Sequence, residues 1–531
     1  MKNAVDRALA TLQSNEIVPR VWRGDHTVWK PEPREVSDRL GWLTVDQMMT
    51  RHVAELREFA ASAVSDGITH VVLLGMGGSS LGPEVMGKVL HRPGQSPRFT
   101  VLDSTVPSAV LSVRETIDPG KTLFLVSSKS GGTVETMCLY AYFRAEVESV
   151  VGGRSAGRNF VAITDPGTSL ERLASDAGFR KAFLNPPDIG GRYSVLSYFG
   201  LVPAALIGID VRDFLGAAST MRDACSPAHP PEDNPGAYLG AAIGALALAG
   251  RDKLTIITSP SLTSLGLWIE QLIAESTGKE GKGIVPVVGE PIGRPEVYGG
   301  DRQFVYIRLE SDADAELDEA VDALEGAGHP ALRLTLGDRY DLAGEFYRWE
   351  FAVAIAASLL KVNPFDQPDV QSAKDQTDLV LGEFERTGSL PMAPETLAPT
   401  ALFASARPGD YLAITAFVGQ TAETDDALGG LRQSVMESRR IATTLGYGPR
   451  FLHSTGQLHK GGPPSNLVLQ LLAEHQQDVA VPGRAFSFGT LASAQAHGDL
   501  LALVARGTNV ARVDLGASVL GALARLVEAA R

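Results

Sequence analysis

Between His70 and Val211 the chain repeats one pattern, a short apolar run followed by a longer stretch of helical periodicity. The runs are Val71–Leu74, Phe99–Leu102, Leu123–Val126, Phe160–Thr164 and Ala182–Leu184. Strands alternating with helices predict an α/β fold with a doubly wound parallel sheet. The residues before this region, 1–65, read as a helical segment, with Thr44 placed to cap an amphipathic run from Val45 to Val64. Pro227 to Pro235 is a polar, proline-rich break that reads as a linker, so the first sheet-bearing domain is set at 66–226.

A second α/β unit, 236–385, follows. It holds the strand Lys253–Thr258, a helix around Trp268–Ser276, the strands Phe304–Leu309 and Leu332–Leu336, and the helix Glu345–Leu360. The acidic stretch Glu310 to Glu319 reads as a solvated helix face. Another proline-containing break separates Arg386 from Pro408, and the remainder, 408–531, repeats the second unit. Tyr411–Phe417 answers Lys253–Thr258, and Asn466–Leu471 answers Phe304–Leu309. Helix Phe486–Val504 answers Glu345–Leu360, and Val510–Leu515 answers the segment Asn363–Gln367. Gln271-x-x-x-Glu275-Ser276 is echoed by Gln433-x-x-x-Glu437-Ser438. The expected architecture is therefore two doubly wound domains in tandem with an extra C-terminal α/β unit.

Composition narrows the function classes. Hydrophobic residues make up 44% and charged residues 21% of the chain, as in soluble globular proteins. A net charge of −14 argues against nucleic acid or an anionic membrane as the main partner. Cys138 and Cys225 are the only cysteines, which leaves neither a disulfide framework nor a zinc cluster. The opening residues lack the apolar centre of a signal peptide, and no apolar run is long enough to span a bilayer, so a cytoplasmic location is expected.

The chemistry is concentrated in two loops at strand ends. Ser127-Ser128-Lys129-Ser130-Gly131-Gly132-Thr133-Val134-Glu135-Thr136 follows an apolar strand and opens a helix. Free backbone N–H groups, the positive helix end and several hydroxyl donors there suit a phosphate dianion, although an ordinary capped turn would read alike. Gly75-Met76-Gly77-Gly78-Ser79-Ser80-Leu81-Gly82-Pro83 is the second such loop. Its glycine spacing is not that of a dinucleotide site, because Ser80 stands where the third glycine belongs, and Asp103 has no supporting pattern as a ribose reader. Two hydroxyl-bearing loops favour a phosphorylated small molecule.

Three further segments carry reactive side chains. Arg192 follows a glycine pair in Gly190-Gly191-Arg192-Tyr193-Ser194, Glu275 stands near the end of an apolar helix in Glu275-Ser276-Thr277-Gly278-Lys279, and Gln367 and Lys374 flank a helix start. Taken singly, a surface arginine, a solvated helix-end glutamate and an exposed lysine are the plain alternatives. Together the five segments resemble, in order, the motifs of the phosphoglucose isomerase family, over roughly Asp66 to Lys374.

That resemblance implies sugar-isomerase domains, a metal-free and cofactor-free aldose–ketose isomerase of glycolysis and gluconeogenesis, and a hexose phosphate as substrate. Residue by residue, Gly78, Ser79, Ser128, Lys129, Ser130, Thr133 and Thr136 match the positions that bind the sugar phosphate or flank them. Gln271 and Gln367 match substrate-contacting glutamines. Glu275 matches the base that moves a proton between C2 and C1, Arg192 the residue that stabilises the enediolate, and Lys374 a residue assisting ring opening. A dual phosphoglucose/phosphomannose isomerase shares this chemistry, with Thr133 and Gln367 the positions bearing on substrate breadth. A non-catalytic sugar-phosphate sensor is the contrasting class, with no use for Glu275, Arg192 and Lys374 together.

One family position departs from the pattern. The ring-opening histidine should fall between the glutamate and lysine motifs, where only His329 occurs and Arg302 stands in its place. Leu452-His453-Ser454-Thr455-Gly456-Gln457, in the third unit, resembles the missing motif, with His459 a weaker candidate. In the family this histidine comes from the partner subunit. The expectation is therefore that the third unit stands in for that partner, with Glu437 a relic, giving a monomer, or otherwise a homodimer. The third unit also resembles the tail of isomerase domains found fused to transaldolase, although no transaldolase-like barrel is present in the chain.

Overall fold

Both glycine-rich loops leave strands whose residues are buried along their whole length, and these strands set the frame of the fold. This computed structural model describes residues 2–92, 94 and 96–531. Strands β1 (His70–Gly75), β2 (Arg98–Leu102), β3 (Thr122–Ser127), β4 (Phe160–Thr164) and β5 (Lys181–Leu184) form one sheet in the order β2-β1-β3-β4-β5. Every pairing is parallel, and the register sets Leu74 against Val126 and Gly75 against Ser127. The chain order reverses between β1 and β3, so a crevice opens at their C-terminal ends. Both glycine-rich loops start there.

The second sheet comprises β6 (Lys253–Thr258), β7 (Val285–Val288), β8 (Arg302–Leu309) and β9 (Ala331–Leu336). The third comprises β10 (Tyr411–Phe417), β11 (Ala442–Tyr447), β12 (Asn466–Leu472) and β13 (Asn509–Asp514). Their orders, β7-β6-β8-β9 and β11-β10-β12-β13, are the same winding, and the first sheet follows it too. The repeat therefore runs through all three units, and its internal matching shifts by one element. β13 answers β9 and not the segment Asn363–Gln367. Helix Phe488–Ala505, lying between β12 and β13, answers Ala315–Gly326, and Val519–Ala530 answers Leu342–Leu360. The shift arises because β7 and β11 are hard to read. Each is an edge strand, and Pro286 in β7 carries no N–H for a ladder.

The run from Val45 is two helices, Val45–Thr50 and Val53–Ser65, broken at Arg51-His52, and Thr44 makes no side-chain cap bond. Pro227–Pro235 joins helices Val211–Ala224 and Pro235–Leu248, and both pack on Leu342–Leu360 of the second unit. One hydrophobic core, including Phe214, Leu239, Trp349 and Ile355, is thus continuous across that break. Leu342–Leu360 is buried over most of its circumference, as befits a central helix. Gly240 lets Pro235–Leu248 lie close against it, since a Cβ there would come 2.3 Å from the Ala352 carbonyl oxygen.

The third unit is joined to both others. The Arg432 guanidinium donates to the carbonyls of Val288 (2.9 Å) and Gly289 (2.7 Å), and Glu290 accepts from the Thr443 N–H (2.8 Å) and hydroxyl (2.9 Å). Helix Phe488–Ala505 packs along Pro368–Thr387, and Arg450 reaches into the first unit to Glu84 and Asp103. Among the described residues no helix is long and apolar enough to cross a membrane.

Candidate active site

Two glycines show how closely the loops meet. After β1 the chain turns through Gly77–Ser79, with Gly77 at φ +56°. A Cβ on Gly78 would come 2.0 Å from the Gly191 carbonyl oxygen, and one on Gly77 would come 2.6 Å from that of His453. Only glycines allow this approach. The first loop, the Arg192 turn and the His453 segment are thereby packed together, and Gln271 joins them by donating its Nε2–H to the His453 carbonyl at 2.8 Å.

Arg192 is 3% exposed and its fork is fully engaged. It donates to Ser276 Oγ (2.9 Å), Glu275 Oε2 (3.1 Å), Gln367 Oε1 (2.9 Å) and the carbonyls of Pro364 (2.5 Å) and Asp366 (2.8 Å). A planar guanidinium held at five points is a preorganised cation. Glu275, near the end of helix Leu265–Thr277, is 7% exposed. Burial holds its carboxyl above the ordinary carboxylate range, against the opposing charges of Arg192, His453 and Lys279. The Lys279 ammonium donates to the carbonyls of Asn363 and Asp366 (both 2.6 Å) and to Asp366 Oδ1 (2.7 Å). Burial and the Arg192 charge bring it down to about 8.

A cleft of about 200 Å³ opens among the three units, and its lining includes neither Glu275 nor Arg192. Ser130, Gly132 and Thr133 from the β3 loop form one wall, Lys374 and Thr377 another, and His453 and Gln495 of the third unit a third. The Ser128 and Thr133 hydroxyls are hydrogen-bonded to each other at 2.8 Å, and Thr133 heads helix Val134–Val151 without a side-chain cap bond. The first turn of that helix thus faces the cleft with its donors uncapped by Thr133, a setting for an anion.

Glu135 ties the third unit to this wall. Its Oε1 accepts from His453 Nε2 and from Gln495 Nε2, each at 2.7 Å, and Gln495 Oε1 accepts from the Thr105 hydroxyl at 2.8 Å. Burial alone would raise the Glu135 carboxyl, but the His453 charge and hydrogen bond bring it below the usual range. A carboxylate on Nε2 assigns the proton to that nitrogen and leaves Nδ1 uncommitted.

The other sequence candidates lie elsewhere. Lys129 turns to Asp165 and the Pro187 carbonyl, and Thr136 is buried with an unpartnered hydroxyl, so neither enters the cleft. Arg302 sits at the opposite end of its sheet, bonded to Glu290 (2.8 Å) and the Thr255 hydroxyl (2.8 Å). His329 bonds the Pro295 carbonyl at 3.1 Å and packs on Tyr298 and Phe304. His459 is buried against the Tyr411 hydroxyl, and burial with the Lys460 charge pushes it down to about 3. Glu437 lies at the surface, accepting from Gln433.

A sequence profile of the phosphoglucose isomerase family matches residues 44–286. A glucose-6-phosphate isomerase of Symbiobacterium thermophilum is 30% identical over 391 residues, covering 65% of this chain and 87% of the relative. This chain belongs to the phosphoglucose isomerase family. A second member, the glucose-6-phosphate isomerase of Rubrobacter xylanophilus, is 29% identical over 427 residues, covering 71% of this chain and 96% of its own length. Among solved structures, a hypothetical protein of Thermus thermophilus superposes with a TM-score of 0.62 at 25% identity, covering 71% of this chain and 97% of that one. A glucose-6-phosphate isomerase of Chlamydia trachomatis shares the fold at a TM-score of 0.60 and 19% identity, covering 72% and 86%.

In this family member, sequence reasoning missed Glu135, Lys279 and Gln495. Glu135 and Lys279 stood inside quoted motifs, but a first-turn glutamate reads as a dipole partner and a lysine after a helix end as a solvated one. Gln495 gave no signal at all.

Proposed function

We propose that the protein interconverts glucose-6-phosphate and fructose-6-phosphate through an enediolate, with Glu275 as the proton-transfer base. The observation that carries this is the buried Glu275–Arg192 pair, 3.1 Å apart, with Gln367 on the same guanidinium. An aldose–ketose shift needs one carboxylate to take the C2 proton and return it at C1, and a fixed cation for the charge developing on oxygen. Ser79, Ser128, Ser130 and Thr133 hold the phosphate in this reading, so that binding energy remote from the reacting carbons sets the sugar in register. Lys374 and His453, which share the cleft, take the proton steps of ring opening.

In the same reading the third unit replaces the partner subunit of a dimer and supplies His453 from within the chain. Its support is the seat of His453 on Glu135 of the first unit and the absence of any site role for Glu437, which is exposed on its helix. The test is direct. Purified protein should form fructose-6-phosphate from glucose-6-phosphate, and Glu275→Gln should lower kcat by about 10²- to 10⁴-fold, the usual contribution of a positioned base. Retention of full turnover in Glu275→Gln would remove Glu275 from the mechanism.

A further inference from the structure

Gln457 connects the three segments that carry the candidate proton-transfer groups. Its side chain is wholly buried in the short helix Gly456–Gly461, just beyond His453. Oε1 accepts the Asp369 N–H at 2.9 Å, while Nε2 donates to Asp369 Oδ2 at 2.6 Å and to the Gly278 carbonyl at 2.9 Å. The acceptor and both donor hydrogens are thus used, all on the second unit. Asp369 lies in the first turn of helix Pro368–Thr387, which carries Lys374, and Gly278 caps helix Leu265–Thr277, which carries Glu275.

The surroundings are built around this amide. A Cβ on Gly461 would come 2.2 Å from Asp369 Oδ2 and 2.6 Å from Gln457 Nε2, so glycine leaves the space the contact needs. The second Asp369 oxygen accepts from Arg506, whose other nitrogen donates to the Lys460 carbonyl at 2.5 Å. Arg506 therefore holds Asp369 and the Gln457 helix from the third unit's side.

We infer that Gln457 is a positioning residue that sets the mutual geometry of His453, Lys374 and Glu275. The inference rests on the isomerase reading above. A misplacement of about 1 Å between reacting groups costs on the order of 10²-fold in rate, and here three groups on separate segments share one side-chain tie. The phosphate-facing loops belong to the first unit and make no bond to Gln457, so the effect falls on kcat and leaves phosphate affinity alone.

The experiment compares Gln457→Leu, Asp369→Leu and Asp369→Asn with the unmodified chain, measuring kcat, KM and competitive inhibition by inorganic phosphate, with thermal melts for the folded fraction. Asp369→Asn keeps an oxygen for the Gln457 amide while losing the charge for Arg506, so it serves as the conservative rescue. The expected result is a kcat loss of about 10- to 100-fold in both leucine variants at unchanged phosphate inhibition, and a loss below about 3-fold in Asp369→Asn. Equal kcat in Gln457→Leu and the unmodified chain overturns the inference, and so does a loss that only tracks the folded fraction or weakens phosphate inhibition equally. If Gln457→Leu does not fold, the Asp369 pair decides: equal kcat in Asp369→Leu and Asp369→Asn overturns it. Unmodified protein without isomerase activity refutes the isomerase reading itself, whereas active protein with an equally active Gln457→Leu refutes only the tie.

Discussion

Burial raises two carboxylates of the site, and only at one of them do the partners outweigh it. Glu135 receives hydrogen bonds from His453 and Gln495 and sits below the usual carboxylate range, whereas Glu275 receives one from Arg192 and sits above it. Paired groups pushed apart in this way mark separate roles, here an ionised anchor and a base poised nearer neutrality. Glu275 must be deprotonated to accept a proton, so the acid limb of kcat/KM should fall at a pH above the ordinary carboxylate value of about 4.3. Replacing Arg192 with Met removes an opposing positive charge, which raises the carboxyl further and moves the limb to higher pH. A pH profile of kcat/KM for both proteins checks this, and a limb that stays in place assigns it to another group. Arg192, Glu275 and Gln367 each stand in a distinctive motif, and the structure brings the three side chains together on the Arg192 guanidinium. Lys129 and Thr136 stood in an equally clear motif, yet the lysine pairs with Asp165 and the Thr136 hydroxyl is buried without a partner. Residue type signals a phosphate loop, but the direction of each side chain depends on the fold around it.

At the scale of elements, the interior strands and several edge strands, β2, β5 and β9 among them, were readable. β4, β6 and β10 run over the residues expected of them, because short runs rich in apolar and β-branched residues between turn signals leave little ambiguity. Edge strands β7 and β11 were not anticipated, and their omission displaced the matching of helices in the repeat. The docking of the third unit was also illegible, since it depends on charges far apart in sequence. Arg450, in the turn that ends at His453, pairs with Glu84 and Asp103 at 2.8 Å each, and Asp103 also accepts from the Ser80 hydroxyl at 3.0 Å. Burial and the nearby Glu84 charge hold Asp103 above the usual range, against Arg450. Removing the cation strands Asp103 in the interior, since Glu84 keeps Lys88 at 2.6 Å, and a buried pair that loses one partner costs about 3–5 kcal/mol. Arg450→Met should therefore lower the unfolding free energy by that amount, and Arg450→Met combined with Asp103→Asn should recover part of it, both read from denaturant titrations. A single variant as stable as the unmodified chain would show that water reaches these carboxylates.

The whole molecule assembles one cleft from three similarly wound units, and this arrangement separates two ways of building the site. Ser130 and Thr133 come from the first unit, Lys374 and Thr377 from the second, and His453 and Gln495 from the third, all within one chain. If the site is completed within the chain, a molecule lacking either Glu275 or His453 has no intact site, and mixing two such variants creates none. A homodimer sharing sites across its twofold axis behaves differently: random exchange makes about half the dimers mixed, each with one intact site, restoring about a quarter of the activity. Glu275→Gln and His453→Ala, mixed after mild dissociation and reassociation, should accordingly show no more turnover than the sum of the separate proteins. Recovery near one quarter would move His453 to the partner's site and make the third unit an exchanged arm. The closed arrangement would rest on the Arg450, Gln457 and Arg432 bonds, which fasten the His453 segment and its sheet to the first and second units.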